Sequence, residues 1–269
     1  MKFRKDNLLQ TYMSLSPFAL AFERYQECQI YLQIPLERPI LDLGCGEGLF
    51  THVLFEEKID TGIDPNSKEL ERAKEYGCYQ ELINCAGDAI PKADGSYRTI
   101  FSNSVLEHIP DLNPVFIKVN RLLMDGGHFY FTVPSQYFEQ YSVISRIVRA
   151  LGFAGLANRY QKEYNKFWNQ IHCYPLEKWE NIVSQFGFQV VNSFSYCSRE
   201  ICTLNDILVP FSFPAYIMKR LINRWFLFPN IRSILIYPFY RLAMKYKKWG
   251  EKVSNGGLVF VAAKKVGRI

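Results

Sequence analysis

The stretch that decides the fold is ILDLGCGEGLF, from Ile40 to Phe50. Its first four residues are typical of a buried strand, and three glycines in the next five positions predict a tight turn before a helix that begins near Leu49. Glycine accepts a positive φ and lets a ligand lie against the backbone and the helix N-terminus. Burial of the Asp42 carboxylate costs free energy unless something pairs with it, and a cationic ligand group would do so. We therefore interpret the stretch as a ligand-binding strand, turn and helix, with a simple glycine turn as the alternative.

The composition is that of an ordinary globular protein. The chain has 269 residues, 48% of them hydrophobic and 22% charged, which is enough for one large α/β domain with insertions. Seven cysteines are scattered without a CxxC pair and without a histidine at metal-ligand spacing. This pattern argues against a zinc site and against a disulfide framework, so we expect no metal.

The N-terminal sequence predicts a cytoplasmic protein. The charges of the first residues are not followed by an apolar segment of the kind found in secretory signals. No uncharged apolar run approaches the ~18 residues that a membrane span needs.

Strand patterns recur along the chain and alternate with helical patterns. Strands are predicted at 40–43, 59–64, 81–85, 98–103 and 128–133, and two more at 188–196 and 257–264. The repeated order of strand, helix and strand predicts a parallel sheet with helices on both faces. We divide the chain into an N-terminal helical cover (1–38), a core (39–134 with 175–196 and 253–269), a helical insertion that forms a lid (135–174) and a basic amphipathic insertion (197–252).

Polar residues follow three of these strands, at the sheet edge where open α/β sheets bind ligands. Asp64 stands where an acid can accept hydrogen bonds from ribose hydroxyls, although it could also cap the next helix. Asp88 could accept from an exocyclic amine, and the adjacent Ala89 is small enough to lie against a flat base. Asn103 and Ser104 leave the end of the fourth strand.

The stretch from Asp42 to Gly48 matches the D-x-G-x-G-x-G loop of class I S-adenosylmethionine (SAM)-dependent methyltransferases. The chain most resembles their small-molecule branch, related to the ubiquinone and menaquinone methylases. The resemblance is close over 39–133 and loose over 174–196 and 257–264. It implies a Rossmann-like seven-stranded, mostly parallel sheet in the order 3-2-1-4-5-7-6, with an antiparallel last strand. It also implies SAM as cofactor. The first 35 residues and the two insertions, which the residue pattern predicts to be largely helical, lie outside the resemblance.

The same resemblance assigns cofactor-binding residues. The glycine loop would hold the methionine part, the acid after the second strand the ribose, and the residues after the third strand the adenine. The residues so assigned are Asp42, Gly44, Cys45, Gly46, Asp64, Pro65, Asp88, Ala89, Asn103 and Ser104.

Histidines are the candidate catalytic residues. Methyl transfer to a hydroxyl requires removal of the hydroxyl proton, and histidine is suited to that role near neutral pH. His108 follows the fourth strand, and His172 ends the first insertion, where the family often places a substrate-side histidine; either could instead be structural. Some quinone O-methylases carry Glu-x-x-Glu-His as a metal site, but Ser104 replaces the first acid here, so no metal ligand is predicted.

The second insertion is basic and amphipathic. From Thr203 to Gly250 it has eight cations against the single acid Asp206. Helical spacing places Ile217 and Leu221 on one face and Lys219 and Arg220 on the other. This pattern predicts contact with an anionic membrane through 215–249, peripheral at the inner membrane face, although an ordinary helical cap over the core is the alternative.

The acceptor is therefore expected to be a small molecule or lipid-linked, such as an isoprenoid or glycolipid, and to be O-methylated. An RNA methyltransferase is a less favoured alternative, because no Asn-Pro-Pro-Tyr-type motif follows the fourth strand. A non-catalytic SAM-binding subunit is a third possibility. The sequence carries no signal for an oligomeric state.

Overall fold

The computed structural model describes residues 1–267, which form one sheet of seven strands and eleven α-helices. The strands are β1 Ile40–Leu43, β2 Ile59–Ile63, β3 Tyr79–Ile83, β4 Tyr97–Asn103, β5 Leu123–Pro134, β6 Phe188–Tyr196 and β7 Leu258–Lys265. The helices are α1 Leu8–Leu15, α2 Phe18–Tyr31, α3 Leu49–Leu54, α4 Ser67–Tyr76, α5 Asn113–Leu122, α6 Val143–Ala150, α7 Ala154–Phe167, α8 Leu176–Ser184, α9 Arg199–Ile222, α10 Pro229–Leu235 and α11 Tyr237–Ala243.

The sheet has the order β3-β2-β1-β4-β5-β7-β6. The first five strands are parallel, and β7 runs antiparallel to both β5 and β6. In the centre, Leu41 of β1 pairs with Thr61 of β2 and with Ile100 of β4. The predicted fold class and strand order are therefore confirmed, and the carboxyl ends of β1, β2 and β4 meet at one edge.

Two strands differ from the prediction by more than one residue. The third lies two residues earlier than expected, ending at Ile83, because Tyr79 pairs with Ile59 and packs inward. The fifth begins at Leu123 instead of His128, because Leu123 pairs with Tyr97 before a shift of register between Tyr97 and Thr99. Both differences concern residues whose pairing depends on the neighbouring strand rather than on their own pattern.

Helices cover the two faces of the sheet with separate apolar clusters. One cluster joins α1, α2 and α3 to buried side chains of β4, β5 and β7 on one face of the sheet. The other joins α5 and α8 to the opposite face. Tyr12, Met13 and Tyr31 of the N-terminal segment are fully buried. The segment predicted to cover the site thus also contributes to one of the two apolar clusters of the core.

The two insertions are helical. The first contributes α6 and α7, and the second contributes α9, α10 and α11, with α9 packed against α2. Helix α9 is long and apolar enough to cross a membrane by length and composition, although 28% of its most apolar window is buried within the protein. Asp206 and Lys219 lie within this helix, so its uncharged run is shorter than the ~18 residues of a membrane span, as expected from the sequence.

Candidate active site

The glycine loop after β1 is tied to the end of β2. The backbone N–H groups of Gly44 and Cys45 both donate to Ile63 O, at 2.9 and 2.8 Å. Gly46 N–H donates to Asp64 Oδ2 at 3.0 Å. The Asp64 carboxylate, which is predicted to bind a ribose, therefore also holds the glycine loop against the end of β2.

Two of the loop glycines are required for different reasons. Gly44 has φ +79°, and a Cβ at this position would lie 2.5 Å from Val105 Cγ1. Gly46 has φ +52°, and a Cβ there would meet no atom within 4 Å, so it would project into open space. Gly44 thus allows close packing, whereas Gly46 leaves room beside the backbone for a ligand.

Asp42 is buried at the end of β1, and two side chains of the protein donate hydrogen bonds to its carboxylate. Its Oδ2 accepts from Thr51 Oγ1 at 3.0 Å and from the Tyr79 hydroxyl at 2.8 Å. Burial raises the pKa of the Asp42 carboxyl to about 7, and these two hydrogen bonds oppose the rise. Thr51 and Tyr79 were not identified from the sequence, since neither lies in the loop motif.

A cavity of about 840 Å³, the loop cavity, opens above the carboxyl ends of β1, β2 and β4. Nine of the ten predicted cofactor residues line it, and Ala89 does not. Ala89 is exposed beside it, and Ala86 and Gly87 lie in the lining instead. The nine are Asp42, Gly44, Cys45, Gly46, Asp64, Pro65, Asp88, Asn103 and Ser104.

The loop cavity fits SAM by size and by the groups it offers. Its volume lies within the range of small-molecule sites. The buried Asn103 Nδ2 has no hydrogen-bond partner in the protein, and Gly46 leaves open space at its backbone. Asp64 and Asp88 offer carboxylates on the side where hydroxyl and amine donors are expected. Within residues 1–267 no group of three or more His, Cys, Asp and Glu side chains could hold a metal ion.

A buried charged cluster on α2 borders the loop cavity. Arg24 Nη1 donates to both oxygens of Glu27, at 2.7 and 2.8 Å, and to Ser104 Oγ at 2.7 Å. Glu27 is fully buried and also accepts from Thr132 Oγ1 at 2.9 Å. This cluster was missed, because the sequence of α2 was interpreted only through its apolar spacing. The pair Arg24 and Glu27, one helical turn apart among aromatic residues, was the available signal.

A second, smaller cavity of about 160 Å³ adjoins the first and is called the second cavity. It lies between α2, the turn after β4, α7 and α9. Leu20, Arg24, Ser104 and His108 line both cavities. The two spaces therefore meet at the end of β4.

His108 lies at this junction, and one of its ring nitrogens is hydrogen-bonded within the protein. Its Nδ1 is 2.9 Å from Asn169 O, an acceptor, so Nδ1 carries the proton in the neutral ring and Nε2 is left with its lone pair. Nε2 lies 3.7 Å from Glu107 Oε1. Burial lowers the pKa of His108, which keeps the ring neutral near pH 7.

His172, the other histidine candidate, lies elsewhere. It is buried, its Nε2 is 2.9 Å from Ile109 O, and its Nδ1 is 2.9 Å from the Tyr174 hydroxyl. It lines neither of the two cavities. With both ring nitrogens in hydrogen bonds, His172 joins the end of the first insertion to the turn after β4. Of the two histidine candidates, His108 borders both cavities and His172 borders neither.

The second insertion reaches the glycine loop directly. Lys219 Nζ donates to Glu47 Oε2 at 2.8 Å and to Glu69 Oε2 at 2.9 Å, and Trp225 Nε1 donates to Glu47 Oε1 at 2.6 Å. The prediction placed Lys219 on the polar face of this helix and Leu221 on the apolar face. In the structure Lys219 points toward the core, whereas Leu221 is 76% exposed. The ion pairs of Lys219 with Glu47 and Glu69 turn this face of the helix toward the core.

Comparison with known proteins gives the same family. The model of a methyltransferase domain matches residues 19–193. A malonyl-[acyl-carrier protein] O-methyltransferase of Legionella pneumophila is 32% identical over 117 residues, 41% of this chain and 39% of that protein. A ubiquinone biosynthesis O-methyltransferase of Coxiella burnetii is 30% identical over 161 residues, 58% of this chain and 65% of that protein. The chain thus spans less than two thirds of the length of these relatives.

Among solved structures, a SAM-dependent methyltransferase of Thermotoga maritima superposes with a TM-score of 0.55 at 15% identity, covering 92% of this chain and 91% of that one. This likeness concerns the fold. The family model covers the glycine loop, Asp64 and the whole of β1 to β5. The resemblance expected from the sequence is confirmed, and the chain belongs to the methyltransferase-domain family of SAM-dependent enzymes.

Proposed function

We propose that this protein transfers a methyl group from SAM to a hydroxyl of a small-molecule or lipid-linked acceptor, at the inner face of a membrane. The observation that carries the proposal is the junction of the two cavities. The glycine loop and Asp64 line one cavity, and His108, with a free Nε2, borders both. A donor in the first cavity and an acceptor in the second would meet beside a base.

Each residue of the site has a definite task. Asp42, Gly46 and Asp64 would hold the donor, and Asn103 Nδ2 would donate a hydrogen bond to it. Bound SAM supplies an electrophilic methyl group. His108 Nε2 would take the hydroxyl proton of the acceptor as the new O–C bond forms. Asn169 O fixes the imidazole tautomer that makes this transfer possible, and α2 excludes water from the junction.

An extended apolar surface supports the membrane location. Nearly all of the large apolar side chains that residues 1–267 leave exposed lie in the two insertions; the exceptions are Ile117, Val191 and Val266. Phe211 is 79% exposed, and Ile234 is 76% exposed. Soluble monomers rarely expose large apolar patches, and where such a patch occurs it marks an interaction site.

Exposed cations accompany this surface. Lys219 and Arg224 are used in ion pairs with the core. Arg220, Arg241, Lys245, Lys247 and Lys248 are exposed on or after α9 and α11. Apolar side chains with flanking cations are the pattern of a segment that lies in an anionic membrane interface, and each cation near such a surface contributes roughly 1 kcal/mol. We therefore favour a peripheral protein of the cytoplasmic membrane face.

Two measurements test the proposal. Titration calorimetry should detect binding of SAM to the purified chain, and membrane extracts incubated with methyl-labelled SAM and the protein should yield labelled lipid. Binding without any labelled product would instead support a non-catalytic SAM-binding subunit. Label that appears in RNA would support the RNA methyltransferase alternative.

A further inference from the structure

Three buried polar atoms in the second cavity lack partners. They are Glu107 Oε2 and both side-chain atoms of Asn205, Oδ1 and Nδ2. Glu107 is 2% exposed and Asn205 is 5% exposed, and both line the cavity. Buried polar groups are nearly always hydrogen-bonded in proteins, so unpaired groups around a cavity indicate a ligand that completes them.

The unpaired set contains both kinds of group. Asn205 Nδ2 is a donor, Asn205 Oδ1 is an acceptor, and Glu107 Oε2 accepts when ionised and can donate when protonated. An ammonium group only donates and would leave Nδ2 unpaired. Hydroxyl groups both donate and accept, so two neighbouring hydroxyls of one ligand satisfy the amide fully. The chemistry of the set therefore favours a polyol over an amine.

Aromatic rings provide the remaining wall. Tyr164, Trp168 and Tyr216 line the second cavity, with ring centroids 6.3 Å apart between Tyr164 and Trp168 and 5.7 Å apart between Trp168 and Tyr216. The face of an aromatic ring carries negative charge density that attracts polarised C–H groups. A pyranose ring presents such C–H groups on its faces and hydroxyls at its rim, which matches aromatic residues beside an amide and a carboxyl.

An apolar groove leads away from the second cavity. This groove, about 710 Å³, shares Tyr164, Trp168, Asp206 and Val209 with the cavity. Its other lining residues include Ile144, Phe167 and Pro210, and Ile144 and Phe167 belong to the exposed apolar surface of the first insertion. A hydrocarbon chain attached to the bound ring could follow the groove to that surface.

We propose that the second cavity binds the sugar ring of a glycolipid acceptor, through Asn205, Glu107 and the three aromatic rings, with the lipid chain in the apolar groove between α7 and α9. This inference rests on the proposed function and names its acceptor. The hydroxyl to be methylated is the one beside His108, the residue that both cavities share. Asn205 is a specificity-determining residue for this ligand and has no part in donor binding.

Hexyl β-D-glucoside, hexylammonium and 1-hexanol serve as probes with one chain length and three head groups. Titration calorimetry on the whole chain in the presence of S-adenosylhomocysteine should show glucoside binding at least about tenfold tighter than hexanol. Equal binding of glucoside and hexanol would overturn the inference. Tighter binding of hexylammonium than of glucoside would overturn it in favour of an amine acceptor.

Variants locate the effect. Asn205→Leu keeps the side-chain volume and removes the unpaired amide, so the fold is retained, hexanol binding is unchanged and glucoside binding falls by about tenfold. Asn205→Asp replaces the amide donor with a second acceptor oxygen and adds a negative charge, so it should weaken glucoside binding and strengthen hexylammonium binding. Asn181→Leu, at an exposed position of α8, is the matched control and should bind all three probes as the unmodified protein does.

Donor binding is measured on the same samples. SAM binding without glucoside binding refutes the acceptor inference and leaves the proposed function standing. Absence of SAM binding refutes the proposed function, whatever the probes do. An Asn205→Leu protein that binds SAM normally and still binds glucoside with unchanged affinity would remove Asn205 from the site.

Discussion

Gly44 and Gly46 have the same sign of φ, yet alanine should affect them differently. At either position an L side chain in the left-handed region costs roughly 1–2 kcal/mol. At Gly44 the new Cβ would also lie 2.5 and 2.6 Å from the two methyl carbons of Val105. Val105 is β-branched and stiff at χ1, so it relieves the overlap poorly, and overpacking of this kind adds roughly 1–3 kcal/mol. Gly44→Ala should therefore lower the free energy of unfolding by about 2–5 kcal/mol.

At Gly46 the steric cost is absent and the effect should appear in binding. Nothing lies within 4 Å of the added Cβ, so Gly46→Ala should cost only the backbone strain of roughly 1–2 kcal/mol. The methyl group projects beside the lining of the loop cavity and should reduce SAM affinity by about tenfold or more. Gly44→Ala should therefore show the larger loss of stability, and Gly46→Ala the larger loss of SAM affinity.

Gly77→Ala provides the control. Gly77 has φ +64° at the C-terminus of α4, with no atom within 4 Å of a Cβ, and it lies outside the cavity lining. It should lose the same strain energy as Gly46→Ala and keep full SAM affinity. Urea titration and calorimetry on the three variants decide the matter. Equal stability of Gly44→Ala and Gly77→Ala would refute the packing argument, and unchanged SAM affinity in Gly46→Ala would refute the assignment of the cavity.

Further predictions concern the base, the buried carboxyls and the second insertion. His108→Ala should abolish methyl transfer while SAM affinity stays within about twofold; because burial lowers the pKa of His108, activity in the unmodified protein should fall only below about pH 6.5, and an acid limb above that pH would contradict the assignment. Burial raises the pKa of Asp42 to about 7 and that of Glu107 to about 8, so the ligand-free folded chain binds more protons than the unfolded chain between about pH 4 and 8. That contribution to stability is complete at the acid end and is lost as pH rises, so in urea titrations the free energy of unfolding of the unmodified protein should fall relative to that of Glu107→Gln across this window; an equal pH dependence of the two proteins would contradict it. Lys219→Met should lower stability by about 2 kcal/mol, since Glu47 and Glu69 lose their shared cation, and Glu47→Gln in the same chain should restore part of the loss. Sedimentation with anionic vesicles should weaken when the exposed cations are replaced by glutamate and stay unchanged in Lys178→Glu on α8; unchanged sedimentation of the first variant would sink the membrane proposal. The cations to replace are Arg241, Lys245 and Lys248.

The sequence predicted the sheet because its signals are local. The glycine loop, the acids after β2 and β3 and the alternation of strands and helices each depend on residues close together in the chain. The strand order came from the family resemblance and not from the pattern alone. Most of the loop-cavity lining followed from these features, since the carboxyl ends of adjacent parallel strands must meet.

Residues that act across long separations escaped prediction. Arg24 meets Ser104, and Tyr79 meets Asp42, across the fold, and neither has a distinctive local pattern. The helical spacing of 217–225 identified two faces but could not say which one turns inward. Buried acids on the core determine that orientation, and their positions are known only once the chain is folded.

Glu47 connects the glycine loop, where the donor is proposed to bind, with the insertion that is proposed to contact the membrane. One carboxylate belongs to the glycine loop and is held by Lys219 at the end of α9 and by Trp225 just beyond it, in the segment proposed to meet the lipid surface. If a lipid surface displaced α9, the contacts of Glu47 would transmit the displacement to the loop. Reciprocity of binding free energies then requires that vesicles change SAM affinity by the same factor by which SAM changes vesicle affinity. The enzyme would sense the membrane through its donor site, and Glu47→Gln would uncouple the two.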